Sequence, residues 1–138
     1  MARNQTIYGS CLCGRITFSV EGPFQIFYLC HCKRCQKISG SSGAANLFAG
    51  PKSVNWLSGQ NVIQSFALSE ATYFNAAFCK ACGSSVPRRA KSGNFMIIPA
   101  GCLDDDPGMK LEKIIFWKDR PIWHDPDVFI PVHHGYGE

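Results

Sequence analysis

Gly9-Ser10-Cys11-Leu12-Cys13-Gly14-Arg15-Ile16-Thr17-Phe18-Ser19-Val20 sets two cysteines one residue apart, turns at a glycine, and then alternates polar and apolar side chains. A period of two is the mark of a strand with one buried face. On the upstream side, Thr6-Ile7-Tyr8 leads into Cys11 as a second strand. On the downstream side, Gly22-Pro23 breaks the run and residues 24–29 resume extended structure. Further strand candidates lie at 45–48, 54–57, 62–67, 73–78, 95–98 and 113–117, punctuated by Gly50-Pro51, Gly59, Gly83, Pro87, Gly93 and Pro107-Gly108. Residues 32–39 read as one short helix, ended by Gly40 and Gly43. Short strands at this spacing predict a mostly-β meander or sandwich rather than alternating β-α units. Residues 121–126, interrupted by Pro121 and Pro126, read as an irregular arm wrapping the sheet.

The length of 138 residues suits one domain, 1–138, with a core of its own. Hydrophobic residues at 46% and charged residues at 17% exclude a disordered chain. Apolar runs such as 95–100 are too short to cross a bilayer, so no membrane role is expected. Met1-Ala2-Arg3-Asn4-Gln5 has no apolar segment behind it, which points to the cytoplasm. The formal charge of +4 counts every cysteine as neutral. Seven thiolates on two divalent ions bring it to about +1, which leaves no electrostatic footprint for nucleic acid. The densest basic groups, Lys33, Arg34 and Lys37 and then Arg88, Arg89 and Lys91, read as solvated faces.

Seven of the eight cysteines fall in three clusters: Cys11-x-Cys13, Cys30-x-Cys32-x-x-Cys35 and Cys79-x-x-Cys82. Without an export signal, such density suits metal ligation better than a disulfide framework. Two thiolates one or two residues apart can face one ion, and zinc accepts four of them tetrahedrally. Iron–sulfur is the minor competitor. A thioredoxin-like redox motif would need a βαβ setting that neither CxxC has. The first and last clusters together supply four sulfurs, a closed set suited to a structural ion. The middle cluster supplies three, which leaves a position for water or substrate, the pattern of catalytic zinc. His31 lies between two of these cysteines, but adjacent strand residues point to opposite sides, so a packed or hydrogen-bonded histidine is the preferred reading. A second structural site completed by His31 or Cys102 stays as the bland alternative.

At these residues the sequence resembles the glutathione-dependent formaldehyde-activating enzyme family, which includes the centromere protein V-like proteins. The resemblance rests on Gly9-Ser10-Cys11-Leu12-Cys13-Gly14, Cys30-His31-Cys32-Lys33-Arg34-Cys35-Gln36-Lys37, Phe78-Cys79-Lys80-Ala81-Cys82-Gly83-Ser84 and Pro99-Ala100-Gly101-Cys102-Leu103-Asp104-Asp105, in the family's order. It implies an Mss4-like fold, layered antiparallel sheets pinned by zinc. It also implies that Cys11, Cys13, Cys79 and Cys82 form a structural zinc site and Cys30, Cys32 and Cys35 a catalytic one. The implied activity is condensation of glutathione with formaldehyde to S-hydroxymethylglutathione, a carbon–sulfur lyase reaction read in reverse. Cys102 departs from the small or polar residue usual in the family and reads as a buried, apolar-like cysteine. His133 and His134, near the C-terminal end, read as part of a floppy tail.

The expected partners are therefore a small-molecule thiol and an aldehyde, with two Zn²⁺ per chain as cofactor. Three thiolates leave a divalent ion at −1, which weakens Lewis acidity and favours capture of a thiol over polarisation of an aldehyde. Lys33, Arg34 and Lys37 are candidates, by proximity in sequence alone, for receiving a substrate carboxylate. Two other function classes compete: a non-catalytic zinc-stabilised binding module, and a thiol redox sensor that would form a disulfide among Cys30, Cys32 and Cys35. Trp56, Trp117, Trp123 and the phenylalanines are expected in the core.

Overall fold

In the computed structural model, residues 5–137 are described. Residues 1–4, most of the stretch searched for an export signal, and residue 138 lie outside them. Strands β1 (Thr6–Ser10), β2 (Thr17–Glu21) and β5 (Val54–Ser58) form a three-stranded antiparallel sheet with β2 in the middle. A five-stranded sheet runs in the order β10 (Lys113–Ile115), β3 (Phe24–Cys30), β4 (Ala44–Ala49), β9 (Met96–Pro99) and β8 (Arg88–Arg89). Strands β6 (Ile63–Ala67) and β7 (Asn75–Cys79) pair separately. One α-helix, α1 (Lys33–Ser39), joins β3 to β4. The chain is mostly β, as its periodicity predicts. Among the described residues all ladders are antiparallel except at the sheet edge, where β10 returns alongside β3 in the same direction.

The two larger sheets close on a common core that includes Ile7, Phe18 and Val20 from one and Phe24, Leu47 and Ile98 from the other. Phe18 is fully buried and meets Trp56 edge-on, centroids 5.7 Å apart. Burying a side chain of that size contributes roughly 2 kcal/mol. β4, in the centre of its sheet, is covered on both faces. Leu47 and Ala49 join the main core, while Phe48 packs with Ala90 and Ile97 in a second cluster. A strand buried on both sides has no need to alternate, which is why 44–49 reads as a small and apolar run.

The Leu103-Asp104-Asp105 segment closes the free edge of β1. Asp104 N–H donates to the Tyr8 carbonyl (2.8 Å), Tyr8 N–H donates to Asp105 Oδ2 (2.8 Å), and Ser10 Oγ–H reaches both carboxylate oxygens of Asp104. Borrowed acceptors of this kind satisfy an edge that no strand covers.

Two expectations are corrected. Arg88 and Lys91 are not simply solvated: Arg88 is half-buried, and Lys91 Nζ donates to the carbonyls of Leu68 and Ala71. The tryptophans are not all core residues either. Trp123 is 68% exposed, and Trp117 lies at the rim with the Arg120 guanidinium 4.0 Å over its ring. β10 is the last strand, so the arm that follows crosses the rim near α1 with no further sheet to bury it. Among the described residues no helix is long and apolar enough to cross a membrane.

Candidate metal centres

Each outer cysteine cluster is a tight turn at the end of a strand. After β1, Cys11 N–H donates to the Ile16 carbonyl and Gly14 N–H to the Cys11 carbonyl, both at 3.0 Å; Gly14 has φ +82°, a conformation that costs glycine nothing. After β7 the pattern repeats. Gly83 N–H donates to the Cys79 carbonyl (2.8 Å), Cys79 N–H to the Ser84 carbonyl (2.9 Å), and Gly83 has φ +80°. Leu12 N–H donates to Ser84 Oγ at 2.9 Å and ties one turn to the other.

Across this junction the sulfurs of Cys11, Cys13, Cys79 and Cys82 all lie within 4.8 Å of one another. Cys11 and Cys13 are 3.6 Å apart and Cys13 and Cys79 are 3.9 Å apart. A tetrahedron of sulfurs at a zinc bond length has edges of about 3.8 Å. The set fits such an ion in number, chemistry and spacing. The N–H of Ile16, 3.3 Å from Cys11 Sγ, points its proton at that sulfur, as a thiolate requires.

The middle cluster forms a second, separate group: the sulfurs of Cys30, Cys32 and Cys35 also lie within 4.8 Å of one another. Cys30 ends β3 and is buried; Cys32 caps the N-terminus of α1, accepting the Cys35 N–H at 3.4 Å. The loop between them is clamped from two sides. Gln36 Nε2 donates to the carbonyls of His31 (2.7 Å) and Asp119 (2.9 Å). His31 is fully buried, with Nδ1 2.6 Å from the Ser42 carbonyl and its ring edge-on to Trp117 and His124. His31 is thus a loop anchor, outside the ligand group.

Thiol protons are shared unevenly within both groups. The bond with Cys35 draws Cys30 down to about 6 and pushes Cys35 up. The Ser84 hydroxyl draws Cys82 down to about 5. Cys13 is pushed up to about 11: the Arg15 backbone bond favours its thiolate, but desolvation and the neighbouring sulfurs outweigh that bond. Crowded thiols behave in this way until a cation replaces the shared protons.

A cavity of about 790 Å³ runs between the groups, with Cys35 in its lining on one side and Cys11 on the other. Helix α1 shows it Cys35, Ile38 and Ser39, one face at i, i+3 and i+4. Lys33, Arg34 and Lys37 are exposed and are not part of the lining. Sequence reasoning missed the basic residue that is, Arg88. The available signal was the Arg88-Arg89 pair in a strand, where one of two neighbours must face inward.

Cys102 also lines the cavity but belongs to neither sulfur group, and burial pushes its thiol up to about 12. The metal-loaded protein should therefore show almost no fast-reacting thiol at pH 7, against eight after denaturation. Labelling of Cys102 should rise about tenfold per pH unit between 7 and 10, following the thiolate fraction. Peptide mapping after timed alkylation measures this. His133 and His134 are exposed and take part in neither group.

The sequence model of the glutathione-dependent formaldehyde-activating enzyme family matches residues 6–119, which takes in all seven clustered cysteines. The chain belongs to that family. Its β-rich framework is similar to the crystal structure of a Rhodobacter sphaeroides protein solved as a structural-genomics target. The TM-score is 0.62 at 18% identity, covering 78% of this chain and 99% of that one. At that identity the likeness speaks for the fold. No curated protein matches this family member.

Proposed function

We propose that the chain is a zinc-dependent, carbon–sulfur lyase-type enzyme that joins a thiol such as glutathione to formaldehyde. In this reading Cys11, Cys13, Cys79 and Cys82 hold a structural zinc, and Cys30, Cys32 and Cys35 hold a catalytic one. The observation that carries it is the difference in sulfur count, with Cys35 of the three-sulfur group in the cavity wall. The family's name adds the reactants. Thiols used in this way need a reducing compartment, which supports the cytoplasm.

In the condensation, the thiol sulfur bonds to the carbonyl carbon, the carbon–oxygen π bond opens, and the thiol proton ends on the oxygen. A zinc ion held by Cys30, Cys32 and Cys35 would supply the charge that lowers the pKa of an incoming thiol. The chain itself supplies placement. Gln36 and His31 hold the loop backbone from two sides, the Cys35 N–H supports the Cys32 sulfur, and the cavity receives both reactants next to Cys35.

Metal analysis combined with a condensation assay tests the proposal. Two zinc equivalents per chain and adduct formation faster than the uncatalysed rate are expected. One equivalent, or equal rates with and without protein, would reject it. A zinc-stabilised binding module is the second reading, favoured by exposed apolar side chains such as Ile122, Phe129 and Val132 in the C-terminal arm. It requires that added glutathione displace neither metal.

A further inference from the structure

Arg88 has no role in the reading above, yet it occupies an unusual place. β8 is two residues long; Arg89 is exposed while Arg88 is half-buried in the cavity wall that Cys35 and the buried amide residue Asn46 also form. Its Nε–H donates to Asn75 Oδ1 at 2.9 Å, and Asn75 is fixed in turn, its Nδ2–H donating to the Arg89 carbonyl at 2.8 Å. One edge of the guanidinium is held, and the terminal nitrogens keep their planar fork for another partner.

Among the described residues the terminal nitrogens have no hydrogen-bond acceptor, and the bond to Asn75 is the one the Arg88 side chain makes. Burial works against the Arg88 charge, and the titratable groups beside it, Tyr28 and Cys35, are not carboxylates. Burial also pushes the Tyr28 hydroxyl up to about 12, so it is neutral at physiological pH. Asp104, the single carboxylate on the cavity lining, is engaged by Ser10. A desolvated cation without a paired anion is unfavourable, and a guanidinium fork matches a carboxylate in shape and charge. A second hollow, lined by Trp56, Gln60 and Phe66, shares Arg88 and Asn75 with the first but touches neither sulfur group. Only the first brings Arg88 onto a wall shared with Cys35.

Building on the thiol–aldehyde reading, we propose that Arg88, oriented by Asn75, is the receptor for a carboxylate of the thiol substrate, so that the chain selects carboxylate-bearing thiols over neutral ones. This assigns the specificity to β8 rather than to Lys33, Arg34 and Lys37 on α1.

The test is titration calorimetry of the metal-loaded protein with S-methylglutathione, which keeps both carboxylates but has no thiol, and with its dimethyl ester. Wild type should bind the diacid about tenfold to a hundredfold more tightly than the ester. Arg88→Gln should bring the two ligands close to equal, Arg88→Lys should keep part of the difference, and K33Q/R34Q/K37Q should keep all of it. A wild type indifferent to esterification would overturn the proposal. So would full discrimination in Arg88→Gln, or loss of zinc with discrimination intact, which would make Arg88 a counter-charge for the sulfur group. Thermal melts check that each variant is folded; if Arg88→Gln is not, Arg88→Lys decides, since full discrimination there removes the need for the fork. Discrimination without turnover removes the catalytic reading and keeps the receptor. Turnover with equal KM for glutathione and its diester does the reverse.

Discussion

Cys79→Ser and Cys13→Ser should each leave the chain mostly unfolded at room temperature, with zinc content falling from two equivalents to one. Structural zinc bound by four ligands stabilises small domains by about 10–16 kcal/mol, comparable to or above the roughly 5–15 kcal/mol that separates a domain from its unfolded state. The four sulfurs join turns separated by about half the chain, and a hydrogen bond from Leu12 N–H to Ser84 Oγ also links the two turns. The paired variants separate metal from packing. Cys79 is fully buried among core residues, so serine there also places an unpaired hydroxyl in an apolar site. Cys13 is exposed and has no core contact to lose. Equal loss of helical and strand signal by circular dichroism in the two variants identifies the ion as the cause. A stable Cys13→Ser beside an unstable Cys79→Ser would mean that packing alone holds this end of the molecule.

Cys32→Ser should have the opposite profile: a folded protein with condensation slowed at least a hundredfold and one zinc equivalent lost. Cys32 is the cap of α1, and serine is a good cap for the same Cys35 N–H, so the helix should keep its start. The expected change in stability is about 1 kcal/mol or less. Removing one sulfur of three, however, leaves too few ligands to hold an ion in place. An unchanged rate in Cys32→Ser would refute the catalytic assignment. A binding module would show no condensation in either protein, and a redox sensor would show a disulfide in the wild type under mild oxidant.

Much of the architecture is visible in particular residues. The alternation over Arg15 to Val20 marks β2, and glycines such as Gly40, in the left-handed conformation at the end of α1, mark its boundaries. Strand β8 escaped notice because two residues carry no period; β10 falls within the run expected at 113–117, but its pairing with β3, some eighty residues earlier, was not legible. The parallel direction of that edge follows from the path of the chain across the molecule, which no local pattern encodes. In the candidate site, the sulfurs were legible because cysteine at metal spacing has few other uses. Arg88 was not, since an arginine beside an arginine looks solvated until its strand is placed in a sheet.

Cysteine number, their spacing and the strand periodicity are local properties, set by backbone geometry and side-chain chemistry, and they determined a mostly-β chain with one four-sulfur and one three-sulfur set. The three-dimensional packing decided what distant segments do to one another. It placed Cys35 and Arg88 on one cavity wall, turned His31 towards Ser42 and away from the sulfurs, and left Lys33, Arg34 and Lys37 in water. The reason is that burial and hydrogen bonding are satisfied between segments far apart in the chain, and only the folded arrangement fixes which groups lose their water and which keep it.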